Sequence, residues 1–186
     1  SNTTKIIAQA GGANDWYLGS NDEFYKMWLN LWSGTDEEPT VFTPLGGFLT
    51  VYSYWTSSEE DANFTKILDF SDGGSYLNQK DGTSYVRGVR SFSGTKSQYP
   101  LRSIGQGGGY VFAHDAGLVY ETTLSNLSNS AKWSTVLSLI NTTGTAIGTG
   151  QANTTAILTQ SATAPAAKLC NDYDNTYAHT DSAAKL

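Results

Sequence analysis

Residues 15–24, DWYLGSNDEF, join a short extended segment to the beginning of a helix. Trp16 and Leu18 occupy alternate positions, which is the pattern of a strand that buries one face. Ser20 and Glu23 have the spacing of a capping box, in which each side chain accepts a hydrogen bond from the other residue's backbone amide. This stretch therefore predicts a strand end followed by a capped helix.

The helix that begins here is predicted to cover residues 22–32 and to end at Ser33 and Gly34. Its apolar residues recur at helical spacing and form one stripe: Phe24, Met27, Trp28 and Leu31. One face of this helix is therefore expected to pack against a sheet.

The sequence after residue 47 is typical of short strands. Aromatic and β-branched residues are concentrated in four segments, 48–55, 64–70, 75–80 and 84–92. SDGG at 71–74 and Asp81-Gly82 are turn signals between them, so a meander is expected. Further on, residues 110–114 and 117–120 predict a strand pair, and residues 153–160 and 165–173 predict helices, with Pro165 in the first turn of the second one.

Composition excludes several classes of protein. The chain has 186 residues, a net charge of −6 and 15% charged residues, against roughly 25% in an average globular protein. Nucleic acids and anionic membranes bind to basic protein surfaces. An acidic chain lacks such a surface, so neither is expected as a partner. No apolar run reaches the roughly 18 residues of a membrane span. Cys170 is the single cysteine, which excludes an internal disulfide and a cysteine-based zinc site.

Several motifs resemble the Legionella collagen-like adhesin C-terminal family. In the first half they are DWYLGSNDEF at 15–24, GGF at 46–48, YWTSSE at 54–59 and YVRGVRSF at 85–92. In the second half they are GGGYVF at 107–112, AGLV at 116–119, TAIGTGQANTT at 145–155 and AAKLCNDY at 166–173. The resemblance implies an α+β, C-type-lectin-like fold: a twisted antiparallel sheet flanked by two or more helices.

The two halves stand in the reverse of the family's order. Residues 1–92 are similar to the family's C-terminal half, residues 105–186 to its N-terminal half, and residues 93–104 form a connection. A circularly permuted single domain over 1–186 is expected, because domain termini often lie close together. The alternative is that the chain holds halves of two modules that neighbours exchange.

A short internal echo accompanies this order. Residues 2–9, NTTKIIAQ, are similar to residues 153–160, NTTAILTQ. Residues 1–10 are predicted to form a helix like the later one. This similarity indicates an origin by repetition. The sequence has no period of 20–50 residues, so a solenoid is not predicted.

Five residues are expected to have structural roles. Trp16 and Trp55 lie among apolar neighbours in their motifs and are expected in the core; Glu23 caps the first helix. Arg87 and Arg90 alternate with apolar residues on a strand, and a partly buried arginine needs a partner. Asp15, Glu23 and Glu59 are the expected partners.

Ligand contacts are expected in the loops around 56–64 and 72–82. The candidates are Trp55, Ser57, Glu59, Glu60 and Asn63 in the first, and Tyr76, Asn78 and Lys80 in the second. The acidic residues of the first loop are oxygen ligands that could hold Ca²⁺, but the E-P-N and W-N-D signatures of calcium-dependent lectins are absent. A solvated acidic loop is the favoured interpretation, and no metal or cofactor is predicted.

No catalytic constellation is visible in the sequence. His114 and His179 have no ligand or nucleophile at useful spacing, and no G-x-S-x-G motif is present. The expected function is a non-enzymatic recognition or adhesion module that binds a glycan or a surface protein, located outside the cell or on a virion. The alternative is a structural subunit of a phage fibre, capsid decoration or surface filament that forms homo-oligomers.

Overall fold

The computed structural model describes part of the chain, and every structural statement below concerns that part: residues 15–34, 44–45, 47, 52–141 and 144–173. The helix predicted at 1–10, the GGF motif apart from Gly47, the strand predicted at 48–55 as far as residue 51, and His179 lie outside it.

The first helix confirms the prediction from the opening stretch. α1 covers Asn21–Met27 and continues as a π-helical segment over Trp28–Ser33. Both bonds of the capping box are present: the Glu23 amide donates to Ser20 Oγ at 3.4 Å, and the Ser20 amide donates to Glu23 Oε2 at 2.7 Å. Gly34 ends the segment with a positive φ of 74°, which glycine adopts without steric cost.

Nine strands form two sheets, and with the helices they make a mixed α+β structure. The strands are β1 Tyr17–Leu18, β2 Ser53–Glu59, β3 Phe64–Asp69, β4 Ser75–Gln79, β5 Thr83–Val86, β6 Gly88–Ser93, β7 Tyr110–Asp115, β8 Leu118–Thr122 and β9 Ser128–Lys132. One sheet has the order β1-β6-β8-β7 and the other β4-β3-β2-β5-β9. The expectation of one antiparallel sheet is therefore wrong in two respects: there are two sheets, and β2 pairs with β5 in parallel.

The strand predicted at 84–92 divides between the two sheets. β5 belongs to the five-stranded sheet and β6 to the four-stranded one, and Arg87 lies between them. The predicted meander is confirmed for β2, β3 and β4 and is wrong only for its last strand, because β5 pairs with β2 and β9 rather than with β4. The turn at Asp81-Gly82 leads the chain past β3 and β2, and long-range pairing decides the neighbours of β5.

Two hairpins confirm the turn signals in the sequence. β3 and β4 pair antiparallel across residues 70–74, where Gly73 has a φ of 75°. β7 and β8 pair antiparallel across Ala116 and Gly117, whose φ values are 47° and 81°. Positive φ at both central residues is the geometry that matches the twist of a hairpin.

Two helices follow the strands, as predicted. α2 covers Gly150–Gln160 and α3 covers Pro165–Asn171, with Pro165 in its first turn. No described helix combines the length and the apolar character needed to span a bilayer.

Both halves of the chain contribute to the same apolar interior. One cluster joins α1 and Tyr54 to Phe112 and Tyr120. A second joins Leu18 and Trp55 to Trp133 and to Ile157 of α2. Segments on either side of the 93–104 connection therefore bury their apolar surface against each other.

Candidate functional site

Four of the eight predicted ligand contacts lie in the interior. Trp55, Ser57 and Lys80 have no exposed surface, and the Glu59 side chain is only 3% exposed. The predicted loop at 56–64 is largely strand β2, and only residues 60–63 connect it to β3. The prediction of a ligand contact is therefore wrong for these four residues, because a ligand at the surface cannot reach buried side chains.

Trp55 lies in the core, as its apolar neighbours predicted. Its indole Nε1 donates to the Ala131 carbonyl at 2.7 Å, and the indole of Trp133 donates to the Thr56 carbonyl at 2.8 Å. Trp55 thus bonds from β2 to β9, and Trp133, the residue after β9, bonds back to β2. Trp16 is buried as expected and packs edge-on against Tyr173, with ring centroids 5.2 Å apart.

Lys80 and Glu59 form a buried ion pair that fixes a loop. Lys80 Nζ donates to Glu59 Oε1 and, at 2.9 Å, to the Ser138 carbonyl. The Ile140 amide donates to the Glu59 carboxylate at 3.0 Å. The pair therefore holds residues 138–141 in place rather than presenting charge to a ligand.

The two arginines are buried, and they differ in their partners. Arg90 bonds to Asp15, as predicted, and also to Glu121 at 2.9 Å. Arg87 donates to Asn126 Oδ1 at 2.9 Å and to the Thr123 carbonyl at 2.7 Å. Burial lowers the pKa of Arg87 to about 10. The sequence did not predict that Asn126 and Thr123 are the partners of Arg87, because both residues lie more than 30 positions away from it.

Glu23 does more than cap α1. Besides the Ser20 amide, its carboxylate accepts from the Gly148 amide at 2.9 Å. Burial raises the pKa of this carboxyl, and the backbone hydrogen bonds offset part of the increase. Glu23 thereby ties the loop before α2 to the beginning of α1.

The remaining candidates of the first loop are exposed but engaged with their neighbours. Glu60 forms a surface ion pair with Lys66 at 2.7 Å. Asp61 accepts from the amides of Asn63 and Phe64 at 2.7 and 2.8 Å. Among the described residues, no three His, Cys, Asp or Glu side chains are grouped as metal ligands. This turn is closed by its own hydrogen bonds.

Strand β4 lies within the second predicted loop, 72–82, and its residue Asn78 borders an open cavity, which we call the tyrosine groove. Its volume is about 410 Å³, and it is lined by Tyr52, Ser53, Ile67, Asn78, Thr83, Ser84, Tyr85 and Asn129. All eight residues are uncharged. Asn78 is the one predicted contact that lines it; Tyr76 is half exposed and lies opposite Ile67 in the β3–β4 register.

Two tyrosines and a set of amides and hydroxyls give the groove its chemistry. The rings of Tyr52 and Tyr85 lie 4.5 Å apart, and 40% of Tyr52 is exposed. Desolvation and the adjacent Tyr52 hydroxyl raise the pKa of Tyr85. Asn78 Nδ2 donates to Ser84 Oγ at 3.2 Å, which orients the amide. The groove thus offers a tyrosine surface beside fixed neutral donors and acceptors.

Sequence reasoning missed most of this groove. Tyr52 and Tyr85 are 33 positions apart and meet because Tyr54 pairs with Tyr85 in the parallel β2–β5 ladder. Asn129 arrives on β9, which pairs with β5. The recurrence of Tyr at 52, 54 and 85 was the available signal, but nothing local indicates this pairing.

The two remaining reactive side chains have structural roles. Cys170 is fully buried in the second core cluster, and burial raises the pKa of its thiol. His114 Nε2 lies 2.7 Å from the Tyr99 carbonyl and closes the 93–104 connection onto β7.

Comparisons with models of protein families, with curated proteins and with solved structures found no match for this chain.

Proposed function

We propose that this protein is a non-enzymatic recognition module that binds neutral glycans in the tyrosine groove, outside the cell or on a virion. The observation that carries the proposal is the combination of the Tyr52–Tyr85 pair with the amides of Asn78 and Asn129 in one uncharged cavity. A sugar ring has an apolar face that packs on an aromatic ring, and hydroxyls that bond to amides and Ser or Thr side chains.

Charge favours neutral ligands over sulfated ones. The eight lining residues carry no charge, and the chain as a whole has a net charge of −6. An acidic protein repels an anionic ligand at long range. The groove therefore suits neutral sugars, and its groups suit binding rather than acid–base chemistry.

Binding to an array of neutral and sulfated glycans tests this proposal. We expect hits among the neutral glycans, and titration calorimetry with the best of them should show that Tyr52→Ala and Asn78→Ala weaken binding at least about tenfold, which is about 1.4 kcal/mol. Tyr25→Ala is the matched control, because Tyr25 is equally exposed but stacks on Trp28. An array without neutral hits, or a Tyr52→Ala variant with unchanged affinity, contradicts the proposal.

We also propose that the fold is C-type-lectin-like with its two halves permuted. The motif order supports this, and so does the contact between Trp16 and Tyr173. These two residues lie near the two ends of the described chain, and closely spaced ends are what circular permutation requires.

The second candidate function, a structural subunit, is favoured by a different observation. Val136, Leu137 and Leu139 are 38%, 48% and 45% exposed on one loop, and the Lys80–Glu59 pair holds the loop backbone in place. Grouped exposed apolar residues often mark a contact with another protein. This arrangement supports an assembly of copies in a fibre, decoration or filament.

Light scattering over a concentration series tests this second candidate. We expect the wild type to self-associate and Leu137→Ser to remain monomeric. The control is Leu77→Ser, which removes an equally exposed leucine from β4. A wild type that stays monomeric at high concentration contradicts the structural role.

A further inference from the structure

A buried arginine sets the direction of the hydrogen bonds at one wall of the tyrosine groove. Arg87 has no exposed surface, and its Nε donates to Asn126 Oδ1 at 2.9 Å. A guanidinium has donors and no acceptor. Burial lowers the pKa of Arg87 only to about 10, so the group is charged at neutral pH. The atom of Asn126 that faces Arg87 is therefore its oxygen.

Asn126 passes this direction on to Asn129. Its Nδ2 donates to Asn129 Oδ1 at 3.2 Å. Asn129 lines the tyrosine groove, and Asn126 does not. The oxygen of the Asn129 amide is therefore held by a residue outside the groove, and its Nδ2 is the polar atom that Asn129 offers to a ligand.

The other asparagine of the groove is oriented in the same sense by the backbone. The Gln79 amide donates to Asn78 Oδ1 at 2.9 Å, and a backbone N–H can only donate. Asn78 Nδ2 carries two hydrogens, of which one goes to Ser84 Oγ at 3.2 Å. Both asparagines of the groove thus present N–H groups to a ligand, while each carbonyl oxygen accepts from the protein.

Amides that present only donors discriminate between sugar substituents. A hydroxyl both donates and accepts, so it bonds to either end of an amide, whereas a carbonyl only accepts. An acetamido group has such a carbonyl next to a methyl group, and the methyl group packs on aromatic rings such as the Tyr52–Tyr85 pair. A carboxylate also accepts, but the uncharged lining and the net charge of −6 disfavour an anionic ligand.

We propose, on the basis of the glycan-binding function proposed above, that the tyrosine groove selects neutral sugars that carry an acetamido group. Asn129 Nδ2 donates to the acetamido carbonyl, and the methyl group packs against the tyrosine pair. Arg87 and Asn126 are positioning residues, because they fix the direction of the Asn129 amide without contacting the sugar.

Titration calorimetry with diacetylchitobiose and with cellobiose tests the selection. The two disaccharides have the same linkage and differ only in the acetamido groups, which are hydroxyls in cellobiose. We expect the wild type to bind diacetylchitobiose at least about tenfold more tightly than cellobiose. The ratio of the two dissociation constants is the measured preference.

The substitution Asn126→Asp tests the positioning role from outside the groove. An aspartate accepts from Arg87 with one oxygen and presents the other to Asn129, whose amide then turns to donate and offers its own oxygen to the groove. We expect the preference for diacetylchitobiose to fall at least about fivefold, the effect of one hydrogen bond. The near-UV circular dichroism and the unfolding midpoint should remain native.

Two further variants complete the test. Asn129→Ala removes the donor itself at an exposed position of β9, so it should fold and lower the same preference. Gln151→Glu is the control for added charge, because this exposed residue of α2 does not line the groove. Its preference should equal that of the wild type.

The outcomes separate the sugar class from the glycan-binding function. A wild type that binds cellobiose as tightly as diacetylchitobiose, or an array whose neutral hits lack acetamido groups, overturns the selection but leaves glycan binding intact. A preference that survives Asn126→Asp in a folded chain overturns the role of Arg87 and Asn126, and one that survives Asn129→Ala overturns the assigned donor. An array without neutral hits overturns both proposals.

Discussion

Replacing Lys80 with methionine should lower the free energy of unfolding by about 3–5 kcal/mol. The ammonium group is fully buried and bonds to Glu59 and to the Ser138 carbonyl; it also lies 5.0 Å from the centre of the Trp133 ring. Methionine fills most of the volume but leaves the buried carboxylate without its counter-charge. Denaturant unfolding monitored by tryptophan fluorescence measures the loss.

A surface pair provides the matched control for this substitution. Lys66 bonds to Glu60 at 2.7 Å, but the two side chains are 26% and 44% exposed. Lys66→Met should therefore cost no more than about 1 kcal/mol. Adding Glu59→Gln to Lys80→Met should recover part of the loss, because the unpaired charge is removed. If the Lys80 and Lys66 variants unfold at the same denaturant concentration, the buried pair does not have the role assigned to it.

Replacing Trp55 with alanine should also cost about 3–5 kcal/mol, since it empties a fully buried site and removes the bond to the Ala131 carbonyl. Trp55→Phe keeps most of the apolar contact and should cost less. The folded Trp55→Phe variant should retain the glycan affinity of the wild type, because this indole does not line the tyrosine groove. Unfolding curves and titration calorimetry measure the two effects separately.

The exposed Tyr25 provides the comparison for stability. Tyr25→Ala should change the free energy of unfolding by much less than Trp55→Ala, because 42% of the tyrosine is already in contact with solvent. A Trp55→Phe variant that is as stable as the wild type but loses glycan binding would show that Trp55 belongs to the ligand site.

Local signals in the sequence predicted the elements well. Ser20 and Glu23 marked the beginning of α1, and Gly34 marked the end of the π-helical segment that continues it. Gly73 and Gly117 stand in the hairpins that their neighbours predicted. These features depend on hydrogen bonds and backbone angles within a few residues, so the local sequence contains the information that specifies them.

Burial of polar side chains was not predictable in the same way. Lys80 and Glu59 are hydrophilic residues in a segment that looks like a surface loop, and both lie inside because the loop at 138–141 covers them. The tyrosine groove depends likewise on the long-range pairing of β2 with β5. Lys80 and Glu59 were misplaced among the ligand contacts for this reason, and two tyrosines of the groove were not recognised.

The sequence by itself determined the capped helix, the hairpins and the acidic, cysteine-poor character of the protein, because each follows from local spacing or composition. Only the tertiary structure decided that β5 and β6 separate into two sheets at Arg87 and that Tyr52 meets Tyr85. The physical reason is that strand neighbours are selected by the total apolar area buried and the backbone groups paired across the whole chain. That selection cannot be read from residues close together in sequence.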